Sequence, residues 1–200
     1  MINRRIFLEA AAACALPAIA RARPTAAPKQ TAVPARGAVD TFLSDARYVP
    51  SRTVGDRLRT AGVEVHAIPD GDVTQVWLWH IGPAWRQHPI TIAGLTARPA
   101  LFCLEQLALG CGLRVVFHAE HVVHDEGRTE HRLLRGASAA GISTRDLSLA
   151  GMLWPARIAQ VIAAYTSDTG GARFGRSEAG LHPILPAGAQ LLTSWIIAAV

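Results

Sequence analysis

Lysine is nearly missing from this chain. Of the 20 basic residues among 200, 19 are arginine and one is Lys29. A Schiff-base lysine and a P-loop lysine are therefore excluded from the body of the protein. Cysteine is scarce too: there are 3, at Cys14, Cys103 and Cys111, and no Cys-x-x-Cys pair exists. That removes the usual thiol redox motif and cysteine-only zinc clusters. The Gly-x-Gly-x-x-Gly fingerprint of dinucleotide sites is absent, as is the Gly-x-Ser-x-Gly elbow of the α/β-hydrolases. No apolar run approaches the ~18 residues that span a membrane, which argues against stable membrane insertion.

What is present is a chain that is 50% hydrophobic and 18% charged, with a net charge of +5. Such a composition supports a packed core and argues against overall disorder. The basic excess is mild and scattered, so nucleic acid is not an expected partner.

The N-terminus has its own character. Arg4 and Arg5 precede Phe7 and Leu8, an Ala-rich stretch follows, and Ala18-Ile19-Ala20 and Ala20-Arg21-Ala22 offer small-x-small cleavage sites. Residues 1–22 resemble a bacterial twin-arginine export signal. The resemblance implies the twin-arginine machinery as partner, a periplasmic or secreted location, and a passenger exported already folded. It names no cofactor. Residues 23–38 carry three prolines and many small side chains and read as an extended linker, leaving residues 39–200 as a single domain.

Within that domain strand and helix patterns alternate. Residues 39–44 read as a first strand. Pro50 and Ser51 open a helix with Val54, Leu58 and Ala61 at helical spacing, which Gly62 ends. Residues 63–68 are a second strand. Asp72 is placed to cap a helix over residues 73–82, with a stop at Gly82-Pro83. Residues 90–95 are a third strand, Thr96 a cap, and Pro99 a first-turn residue of a helix reaching Cys111. Residues 113–118 are a fourth strand, continuing toward His124. Asp125-Glu126-Gly127 turns a hairpin back through residues 129–134, residues 155–165 form a helix, and residues 191–200 are a last apolar strand. Residues 136–141 and 166–190 read as loop. This pattern predicts a three-layer α/β fold with a mostly parallel, doubly wound sheet ordered 2-1-3-4 and antiparallel strands at one edge.

Cys103 and Cys111, eight residues apart on one helix, would be about 12 Å apart. That is too far for a disulfide, so two buried free thiols are expected. Trp77, Trp79 and Trp85 are expected in the core.

The carboxyl ends of strands 1 and 3 are the expected ligand crevice, with Asp45, Arg47 and Thr96 as candidate binding residues. His118, Glu120 and His124 share one strand face, with His121 on the other. A hairpin can bring His131 opposite His121 or a neighbour, as a two-histidine site at an exposed edge. Alternating faces give too few convergent ligands for a closed metal site, so no metal is expected; His118 and His124 are the weaker alternative. These features favour an exported protein that binds a small molecule without chemistry. Two alternatives stand beside it. One is a hydrolase using carboxylate and histidine groups or a histidine-bound metal; the other is an accessory protein whose hairpin docks on a partner.

Overall fold

The computed structural model describes residues 38–137, 140–166 and 185–199. Residues 1–22, expected to be an export signal with Arg4 and Arg5, nearly all of the expected linker and most of the expected 166–190 loop lie outside the described residues.

Six strands form one sheet: β1 (Thr41–Asp45), β2 (Glu64–Ile68), β3 (Ile92–Ala97), β4 (Leu113–Val123), β5 (Thr129–Arg135) and β6 (Gln190–Ala199). Their order is β2-β1-β3-β6-β4-β5. β1 pairs parallel with β2 and β3, whereas β3–β6, β4–β6 and β4–β5 are antiparallel. The expected mostly parallel sheet in the order 2-1-3-4 is thus incorrect: the sheet is mixed, and β6 separates β3 from β4. The reason lies in β6 itself. Its residues from Leu192 to Ala198 are buried on both faces, a condition met only inside a sheet.

Helices cover both faces. α1 (Val49–Thr60) and α6 (Trp154–Ala163) pack Val54, Leu58, Ile158 and Ile162 on one side, with Phe42, Phe117 and Ile196. On the other side, α4 (Arg98–Leu109) packs Leu101, Leu104 and Ala108 against Trp195 and Ile197. Beside it runs a continuous helical segment of three pieces: α2 (Thr74–Val76), a π turn (Trp77–Ile81) and α3 (Gly82–Gln87). Trp195 fits because Gly94 lies beneath it; a Cβ there would fall 2.3 Å from the indole Cζ2. α5 (Thr144–Ala150) begins with a capping box, Ser143 and Asp146 bonding reciprocally.

Several local expectations need correction. Thr96 lies within β3, one residue before its end, and does not cap α4; its Oγ1 donates to Ala97 O and accepts from Trp195 Nε1, and the helix N-cap is Ala97. Cys111 lies past the end of α4. Cys103 is exposed and Cys111 half-buried, and both are free, so neither is the buried thiol expected. Trp85 is core and Trp77 partly so, but Trp79 is 71% exposed. Among the described residues no helix is long and apolar enough to cross a membrane.

Candidate metal centre

Successive side chains alternate across a strand, so Glu64 and His66 of the edge strand β2 share a face. They face the α2–π–α3 segment. Asp72 fixes the start of that segment, its Oδ1 accepting from Thr74 N at 2.9 Å and from Thr74 Oγ1 at 2.6 Å. Trp85 anchors the far end, buried, with Nε1 donating to Ile90 O at 3.0 Å.

Between these anchors the helix widens. Gly82 N–H donates to Trp77 O, five residues back rather than four. Glycine suits this step, because a Cβ at position 82 would lie 2.9 Å from Trp77 O and 3.1 Å from its indole Cε2. His80 lies inside this widened turn and meets His66, with ring centroids 4.0 Å apart and planes inclined by 38°.

The ligand atoms of Glu64, His66 and His80 all lie within 4.8 Å of one another. His66 Nε2 is buried and 3.0 Å from Glu64 Oε1, but the contact misses hydrogen-bond geometry and leaves the nitrogen unpartnered. Burial lowers the His66 pKa, the neighbouring His80 lowers it further, and Glu64 opposes both. Neutral imidazole is the form that ligates a metal. Two imidazoles and a carboxylate are a donor set for a first-row divalent ion, and three ligands leave coordination positions open. Sequence reading missed this group. Glu64-x-His66 on a strand was a visible signal, but His80 joins from a π turn 14 positions further on.

The candidate binding residues do come together. β1 and β3 are neighbours, and Asp45 Oδ2 accepts from Ala97 N at 3.3 Å. Their polar atoms already have partners, however. Arg47 binds the fully buried Asp45 carboxylate through Nε (2.9 Å) and Nη2 (2.8 Å), and Thr96 Oγ1 is engaged as described above. This pairing raises the Arg47 pKa above its ordinary value. The trio joins β1 to the start of α4.

The histidine run divides between the faces. His121 and His131 are directly opposite, as the hairpin reading allowed, but buried and half-buried rather than at an open edge. Their Nδ1 atoms are 2.8 Å apart, His121 Nε2 is 2.8 Å from Ser194 Oγ, and the His121 ring stacks on Trp154 at 4.4 Å. This chain of bonds links β5, β4 and β6 and occupies both ring nitrogens of His121. Burial pushes the His131 pKa down to about 4 and that of His121 well below the ordinary value. His118 and His124 are six positions apart along an extended segment, about 20 Å, and share no ligand group. His124 Nε2 sits 3.3 Å from Glu130 instead.

The chain matches no protein-family model, no curated protein and no solved structure.

Proposed function

We propose that this protein binds one divalent metal ion, zinc, through Glu64, His66 and His80, and uses it as a hydrolase. The observation that carries the reading is the convergence of three ligand atoms within 4.8 Å, built from an edge strand and a π turn. Zinc held by three side chains keeps a position for water and brings that water's pKa to about 7. Glu64 and His80 are exposed, so a metal held there would lie within reach of a substrate from solvent. The resemblance of residues 1–22 to a twin-arginine signal supports export of the folded chain to the periplasm or beyond.

The test is a metal-swap hydrolysis assay. Chelator-treated protein is assayed against phosphoester, carboxyl-ester and amide chromogenic substrates, without metal and with zinc restored. The reading expects one substrate class to be cleaved only with zinc, and expects His80→Ala to abolish the restoration. Zinc-independent rates, or no cleavage of any class, would remove the hydrolase assignment.

A further inference from the structure

Single apolar side chains on a surface are ordinary, but several large ones together mark a contact with a protein or a membrane. Such a group stands at the corner between α5 and α6, where one 3-10 turn, Gly151–Leu153, joins the two helices. Leu149 is 75% exposed, Met152 86% and Leu153 68%. Their neighbours Leu147 and Trp154 are buried in the core and fix the corner from below. Gly151 turns the chain with a φ of +51°, and a Cβ there would meet nothing within 4 Å. The corner is therefore held firmly and open to solvent.

Charge frames it. Residues 147–156 include no charged side chain, and Arg145 and Arg157, both exposed, bracket them. Asp146 is engaged in the capping box with Ser143. Hydrogen bonds from Ser143 lower the Asp146 pKa, and Arg157 and Arg145 lower it further, which places both guanidinium groups near this carboxylate. Arg157 Nη1 donates to a neutral partner, Gln160 Oε1, at 2.8 Å. Two arginines against one aspartate leave the rim positive, in keeping with the net charge of +5 for the whole chain.

Shape and charge together select the partner. Side chains this exposed project from the surface and line no groove. A protein would need a pocket built to receive all three, whereas a lipid surface yields around them and brings anionic headgroups to the level of the basic rim. We propose that this corner attaches the protein to the surface of an anionic bilayer, with Leu149, Met152 and Leu153 entering the interface and Arg145 and Arg157 lying on headgroup phosphates. This is attachment by three side chains, not a span. It uses none of the residues of the Glu64–His66–His80 group and does not rest on the metal reading.

The experiment is sedimentation of the full chain with two kinds of vesicle: phosphatidylcholine alone, and phosphatidylcholine with about 30% phosphatidylglycerol. The parent chain should bind the anionic vesicles, and the neutral ones at least about tenfold more weakly. Leu149→Ser, Met152→Ser and Leu153→Ser combined should weaken anionic binding by about tenfold or more, with thermal unfolding close to that of the parent. Arg145→Gln combined with Arg157→Gln should weaken it by roughly tenfold, and the remaining binding should depend less on salt. All variants keep residues 1–22, so any contribution of that basic segment is common to them. A second readout places the contact: in Met152→Trp, brominated phosphatidylcholine in the anionic vesicles should quench tryptophan fluorescence beyond the level seen in the parent. The proposal is overturned if the parent binds neither vesicle, if it binds both equally, if the triple serine variant binds like the parent, or if Met152→Trp gains no quenching. Loss of a dimer in the triple variant, with no vesicle binding by the parent, would instead make the corner a contact between copies of this chain.

Discussion

His66 and His80 meet ring to ring, 4.0 Å between centroids, across the gap between an edge strand and a π turn. The two residues are 14 positions apart in the chain, and His80 lies inside the widened turn. With Glu64 it completes a group of three ligand atoms within 4.8 Å of one another.

The π turn is therefore the first point to test. In Gly82→Ala the new methyl group would press on Trp77 O at 2.9 Å, and backbone cannot yield as a flexible side chain can. Overpacking of this kind costs about 1–3 kcal/mol. Urea unfolding should register that loss, and the surviving folded protein should bind zinc more weakly because His80 is displaced. Unchanged stability and unchanged zinc affinity together would show that the π turn does not depend on glycine.

The central placement of β6 predicts a large effect at Gly94. A Cβ there would lie 2.3 Å from Trp195 Cζ2 and 2.6 Å from Cε2, inside a fully buried layer. Gly94→Ala should cost about 3 kcal/mol, measured by denaturant unfolding. A change under about 1 kcal/mol would contradict the pairing of β3 with β6.

Stability should fall on acidification. His118 and His131 have folded-state pKa values near 4, against 6.5 for the free side chain, and burial also holds His121 well below its ordinary value. Between about pH 6.5 and 4 the unfolded chain therefore binds protons that the folded chain refuses. Their contribution is full above pH 6.5 and declines as pH drops through that window. Unfolding free energies measured from pH 7 to pH 4 should show this slope, reduced in His131→Asn, which removes one of the groups. A flat profile over that range would mean these rings are solvated in the folded state.

The sequence made some of this legible and hid the rest. The helix α1, the turn after His124 and the strand pairs around β1 rest on short-range signals: Pro50 at a helix start, Gly62 at its end, Asp125-Glu126-Gly127 between strands. The position of β6 was hidden because pairing partners nearly a hundred residues away leave no local mark. Its apolar residues on both faces, Leu191-Leu192 and Trp195 to Ala199, were the clue, since a strand apolar on both faces belongs inside a sheet. The Asp45–Arg47–Thr96 neighbourhood was found by the strand-end rule, yet the rule does not say whether polar atoms there serve a ligand or one another. Here they serve one another. His80 was read on the face of an ordinary helix, and a π turn has no sequence signature as plain as a cap or a hairpin.

Export is tested independently of the fold. Replacing Arg4 and Arg5 together with lysine should retain the protein in the cytoplasm of a bacterial host, because the twin-arginine route distinguishes guanidinium from ammonium. Cell fractionation reads the outcome, and normal export of the double variant would contradict the assignment.

The most direct test of the central claim is calorimetric titration of chelator-treated protein with zinc. The parent chain should bind one ion per molecule, with protons released as the ligands deprotonate. His66→Ala and His80→Ala, each with thermal unfolding close to that of the parent, should lose that binding by about a hundredfold or more. An absence of stoichiometric zinc binding in the parent, or full retention of it in both variants, would contradict the metal centre.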